Sequence, residues 1–98
     1  MKPSGFSPKA RWDKRASDTI TDLGEPIQVM ALFKSGKISP VEFHWNNQAY
    51  RISRVNYNWS QRQGAQLINY FSVECGPNLY QISFNNTTLS WKIDKVIA

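Results

Sequence analysis

One histidine, His44, and one cysteine, Cys75, are the chain's only imidazole and its only thiol. Together they could form a nucleophile–base pair, since such pairs assemble in space rather than in sequence. Local pattern argues against it. His44 stands between Phe43 and Trp45 in an alternating run and should point to solvent when they point inward. No partner at a fixed spacing orients it as a general base. Cys75 shares parity with Phe71 and Val73 and reads as a small buried hydrophobe. One Cys, one His and scattered carboxylates match no metal-ligand spacing. The five glycines stand alone at turns, so no phosphate-cradling loop is present. Glu42 and Glu74 read as solvated outward carboxylates. A non-enzymatic protein without cofactor or metal is the expectation.

Cations and aromatics offer other chemistry. Arg51 and Lys92 oppose the core parity of their strands, Lys34 and Lys37 flank a turn, and Arg62 lies in a polar stretch. Tyr57, Trp59, Tyr70 and Leu79 have ambiguous parity. Aromatics set among cations suit single-stranded nucleic acid, with π-faces for bases and charges for phosphates. On that reading Arg51, Lys92, Lys34, Lys37 and Arg62 contact phosphates, and Trp59 or Tyr57 provides the stacking platform. On the simpler reading the aromatics fill a core and the cations are a solvated surface.

Strands must position these groups. Val41–Trp45, Tyr50–Ile52, Phe71–Cys75, Tyr80–Phe84 and Leu89–Ile93 all alternate apolar with polar, the period of a sheet with one buried face. Six strands are expected, over about 27–34, 41–45, 50–59, 67–74, 79–84 and 88–96. Turns fall at Ser35-Gly36-Lys37, Asn46-Asn47, Gly76-Pro77-Asn78 and Asn85-Asn86, with a longer loop over 60–66. In the third strand Tyr50 and Ile52 have one parity, and Val55, Tyr57 and Trp59 the other. One extra residue near Ser53-Arg54 would put all five on one face, which predicts a β-bulge there. A break between Ile93 and Val96 predicts a second irregularity. Short turns without crossover helices imply an all-β antiparallel meander, curled into a small barrel or half-barrel. Its interior should hold Val29, Phe43, Trp45, Tyr50, Ile52, Val55, Phe71, Val73, Ile82, Phe84, Trp91 and Ile93.

Residues 1–16 read as a flexible basic arm before a single β domain over 17–98. Residues 17–23 carry a short-helix signal, capped by Ser17 or Asp18 with Ile20 and Leu23 on one face. The net charge of +5 is uneven, with +4 in residues 1–15, −3 in 16–25 and +4 in the remainder. A single cysteine favours a reducing compartment. No apolar stretch suits a leader or a membrane span, Val29–Phe33 being the longest apolar run. A soluble cytoplasmic protein is expected, monomeric or weakly dimeric and not bound to a membrane.

A sequence of motifs runs from Gly24-Glu25-Pro26-Ile27-x-Val29 through Pro40-Val41-x-Phe43-x-Trp45 and Tyr50-Arg51-Ile52 with Val55 and Trp59. It continues through Tyr70-Phe71-x-Val73 and Tyr80 to Trp91-x-Ile93-x-x-Val96. The order resembles an uncharacterised family of small bacterial β domains, over about residues 24–97. Related domains sometimes accompany lesion-bypass polymerase-like proteins, so the resemblance implies a DNA-associated role and no catalytic residues. The chain departs from that pattern at Trp45-Asn46-Asn47, where family members often carry Trp-Arg-Gly. The leading expectation is a binding or adaptor module that contacts a macromolecule, protein or nucleic acid, through a sheet face or edge. A nucleic-acid-binding barrel is the first alternative. A small-ligand-binding barrel, or a minor enzyme using His44, is the second.

Overall fold

Two-residue turns fix most of the register. In the computed structural model, which describes residues 21–97, seven strands follow one another. They are β1 (Thr21–Lys34), β2 (Lys37–Trp45), β3 (Gln48–Arg51), β4 (Arg54–Gln63), β5 (Gln66–Cys75), β6 (Asn78–Asn85) and β7 (Ser90–Val96). Ser35-Gly36 and Asn46-Asn47 place both central residues at positive φ, between 52° and 77°. That is the type I′ geometry whose twist matches paired strands. Gly64-Ala65 and Gly76-Pro77 have positive φ only at the glycine, the type II′ pattern. Pro77 suits its second position because its ring fixes φ near −65°. Ser35 occupies the left-handed region at φ 53° without the side chain best suited to it. Ser35→Asn is expected to raise stability by about 0.5–1 kcal/mol, read from the urea midpoint at unchanged slope.

The sheet order is β3-β2-β1-β7-β6-β5-β4, with every pairing antiparallel. Its edges, β3 and β4, are consecutive in the chain and separated only by Ile52-Ser53. Two residues cannot span an open seven-stranded sheet, so the sheet curls until its edges meet. The link is bonded to both sides: Ile52 N–H donates to the Val41 carbonyl at 2.9 Å and Ser53 N–H to the Glu74 carbonyl at 2.8 Å. The result is a half-barrel.

The all-β antiparallel reading holds, with differences in detail. There are seven strands rather than six, because the expected third strand breaks at Ile52-Ser53. The expected bulge at Ser53-Arg54 is this break, and a separate register shift falls between Val55 and Tyr57. Tyr50, Ile52 and Val55 therefore pack on the core, whereas Tyr57 and Trp59 turn to the outer face opposite Ser72 and Tyr70. Leu23 lies in β1 rather than in a helix, since Thr21 and Asp22 pair with Val96 and Lys95. Residues 17–20, like the arm, lie outside the described residues. The expected loop over 60–66 is mostly strand, closed by Gly64-Ala65. The turn after β6 spans four residues, 86–89, instead of Asn85-Asn86 alone.

Phe43, Val73, Ile82 and Ile93 are fully buried, with Phe71, Cys75, Tyr80, Phe84 and Trp91 around them. Val29, Trp45, Tyr50, Ile52 and Val55, also expected inside, are half-buried and pack against this cluster. The irregularity expected between Ile93 and Val96 is present as a register shift opposite Gln81 and Ile82. It gives Asp94 a use. Its carboxylate accepts hydrogen bonds from the buried Ser83 hydroxyl at 3.0 Å and from Gln81 Nε2 at 3.3 Å.

Candidate functional site

β3 pairs only with the lower part of β2, from Glu42 to Trp45. β4 pairs only with β5. Above the seam at Ile52-Ser53, the stretch 37–40 of β2 and the upper half of β4 thus each have one unpaired edge among the described residues. These edges flank a cleft of about 570 Å³, lined on one side by Gly36, Lys37, Ile38 and Ser39 and on the other by Asn58, Trp59 and Ser60. Asn69, Phe71 and Asn86 contribute to its floor.

Ladder alternation shows which backbone groups look into the gap. Lys34 and Lys37 close a two-residue hairpin and form a hydrogen-bonded pair, so the next pair, Phe33 and Ile38, does not exchange ladder bonds. The N–H and C=O of Ile38 consequently point away from β1. By the same count from Gln63 and Gln66, those of Asn58, Ser60 and Arg62 point away from β5. Pro40 follows on the β2 edge, where a residue without an N–H is tolerated.

A second recess, about 660 Å³, opens beside the first and shares Gly36, Lys37, Ile38 and Asn86 with it. Its walls are apolar, built from Phe33, Phe84, Leu89 and Trp91. Phe33 is 61% exposed and meets Phe84 edge-on, with ring centroids 5.8 Å apart. Leu89 is 72% exposed and holds φ at 58°, a costly conformation for an ordinary side chain. The turn fixes it there. Leu89 N–H donates to the Asn85 carbonyl at 2.8 Å, and Asn85 Oδ1 accepts from the N–H groups of Thr87 and Thr88 at 2.8 and 3.1 Å.

The cations nominated from the sequence separate into groups. Lys34 and Lys37 sit together at the β1–β2 tip and both line the apolar recess. Arg62 lies on the upper part of β4, sharing the face of Asn58 and Ser60. Arg51 is on β3, 3.9 Å from Glu42, and Lys92 is on the outer face of β7 opposite Ser83. Trp59 stacks on Tyr70 across the strands at 5.3 Å and 12°, while Tyr57 tilts against Trp59 at 5.4 Å and is 66% exposed. Gln63 Nε2 donates to the Tyr70 hydroxyl at 3.0 Å.

His44 and Cys75 occupy opposite faces of the sheet. His44 is exposed and bonded to Glu42 Oε2 at 2.9 Å, a partner two residues away on the same face. It also borders a recess of about 480 Å³ with Glu25 and Trp45, whose indole N–H donates to Glu25 Oε1 at 2.8 Å. Glu74, the other outward carboxylate, receives Arg54 at 3.2 Å. Cys75 is buried in the core, and desolvation pushes its thiol up to about 11 from the ordinary 9.0. Burial pushes the Tyr80 hydroxyl in the same direction. Raised folded-state values mean that the native state holds these protons more tightly than the unfolded chain does. The contribution of Cys75 to stability is complete below pH 9 and is lost as pH rises toward 11, and that of Tyr80 starts to be lost only above its ordinary 10.0. Urea midpoints should therefore fall through that window, and Cys75→Ala should flatten part of the decline.

The two free edges were not read from the sequence. Their one trace is the polarity of 60–63, which reads as part of a loop over 60–66. No family model, curated protein or solved structure matches this chain.

Proposed function

We propose that this protein is a binding module that takes up an extended polypeptide segment between β2 and β4 by strand addition. The observation that supports this most is the pair of unpaired edges facing each other across one cleft above a bonded seam. A segment lying there can form ladder bonds with Ile38 on one side and with Asn58, Ser60 and Arg62 on the other. In strand addition the main-chain ladder provides affinity, and pockets for alternate side chains provide selectivity. The recess under Phe33 and Leu89 is such a pocket.

A second reading places single-stranded nucleic acid on the outer face, where Tyr57 lies exposed beside the stacked Trp59 and Tyr70. The DNA-associated role implied by the family resemblance belongs with this reading. Of the cations nominated from the sequence, Arg51 and Lys92 would have to support it, and Arg51 already faces Glu42.

Amide exchange of the full chain tests the first reading. The probes are three blocked hexapeptides, each with a central phenylalanine flanked by glutamate, glutamine or lysine. At least one should slow exchange of the Ile38, Asn58, Ser60 and Arg62 amides at least tenfold. Methylating alternate backbone nitrogens of that peptide should abolish the effect. Strand addition is wrong if no peptide at millimolar concentration protects these amides, or if the methylated version protects them equally. Salt-sensitive protection around Tyr57 and Trp59 by an oligothymidylate, with none by peptides, would favour the second reading.

A further inference from the structure

We infer that the segment received in the cleft is acidic, with a carboxylate directly next to one large apolar side chain. This rests on the strand-addition reading and specifies its partner. Three features of the cleft carry it.

The first is an uncompensated lysine pair. Lys34 and Lys37 are cross-strand partners at the hairpin tip, where Cα atoms of a hydrogen-bonded pair lie about 5.5 Å apart. Like charges directly opposite each other destabilise a sheet. Neither lysine has a carboxylate within ion-pair distance among the described residues. An anion placed between them removes the repulsion and gains two charge-assisted contacts.

The second is the sign of the surroundings. Among the described residues, no Asp or Glu lines the cleft or the apolar recess. Arg62 adds a further positive charge on the β4 side, on the face of Asn58 and Ser60. The chain's own arm is a poor occupant on these grounds, because residues 1–15 carry +4 themselves.

The third is the apolar recess and its position. Phe33, Phe84, Leu89 and Trp91 offer one pocket for a large side chain, with Phe33 and Leu89 left mostly in water. Phe33 and Ile38 point to the concave side, so Lys34 and Lys37, next along the hairpin, belong to the other face. An inserted strand alternates in the same way. When its apolar residue enters the recess, its neighbours present their side chains on the lysine face. An aromatic or large aliphatic residue flanked by Asp or Glu satisfies both at once.

The three hexapeptides, carrying a fluorescent label, decide the matter by anisotropy titration of the full chain. At low ionic strength the glutamate-flanked peptide should bind at least tenfold more tightly than the glutamine-flanked one. The lysine-flanked peptide should bind most weakly, and the differences should shrink in 0.5 M salt, where screening reaches about one residue's length. Lys34→Glu combined with Lys37→Glu should invert the order. These residues are exposed and the variant keeps a like-charged pair, so folding is not the variable. Replacing the central phenylalanine with alanine should weaken the glutamate-flanked peptide about tenfold. Equal binding of all three peptides, with the alternate amides still protected, would overturn the acidic assignment and leave strand addition standing. Loss of amide protection with every peptide would overturn both.

Discussion

Phe43→Ala is expected to remove about 3–5 kcal/mol of stability, a large share of the roughly 5–15 kcal/mol available to a domain. Phe43 is fully buried, stacked on Tyr50 at 4.9 Å and 9°, and met edge-on by Tyr80 at 5.5 Å. Trp45 and Tyr50 approach each other at 5.9 Å and both meet Tyr80. These rings hold β2, β3 and β6 together across the interior at the closed end of the half-barrel. The cavity left by truncation is walled in part by Tyr80, whose strand β6 is bonded into ladders on both sides, so it cannot collapse cheaply. Phe33→Ala removes the same group from a position that is 61% exposed, and its cost should stay within about 1 kcal/mol. Urea unfolding of both variants measures the contrast. Equal losses would mean that the open end is as tightly packed as the closed end.

Inserting Gly-Gly-Ser between Ile52 and Ser53 is the second large effect. Lengthening a loop costs little by itself, about 0.6 kcal/mol per doubling. The loss comes from what the short link enforces: the bonds from Ile52 to Val41 and from Ser53 to Glu74, and the half-burial of Ile52 and Val55. Two hydrogen bonds at about 1 kcal/mol each, with part of two apolar side chains, give an expected loss of about 2–4 kcal/mol. Protection of the β3 amides should disappear while β5, β6 and β7 stay protected. Unfolding measured by different probes should cease to coincide. A coincident transition with an unchanged midpoint would show that the two edges need no tether.

The sequence showed the fold where strands bury one face and wet the other. Phe71 and Val73, Ile82 and Phe84, and Trp91 and Ile93 alternate because β5, β6 and β7 lie well inside the sheet, and all six were placed correctly. Tyr80 follows the same parity and could have been placed with them. The end of β4 beyond Trp59, residues 60–63, reads as a loop for a physical reason. Ser60 and Arg62 take the face toward the open cleft, and Gln61 and Gln63 on the other face are exposed, so no hydrophobic period marks this end as a strand. At Leu23 the helix signal is local spacing, overridden by pairing of Thr21 and Asp22 with β7. Of the nominated cations, Lys37 lines the cleft, Lys34 lines the adjoining recess, and Arg62 lies on the β4 side. Arg51 and Lys92 do not, because parity tells which face a residue takes but not which strands stand beside it.

The facing arrangement of the two bare edges has a consequence for valency. A flat sheet with free margins can recruit a strand that presents a new margin, and growth continues without limit. Under the strand-addition proposal, a guest hydrogen-bonded to both walls of the cleft leaves no new margin there to copy. The stoichiometry at the cleft then stops at one, whereas the outer edge of β3, paired with β2 alone among the described residues, stays bare in either state.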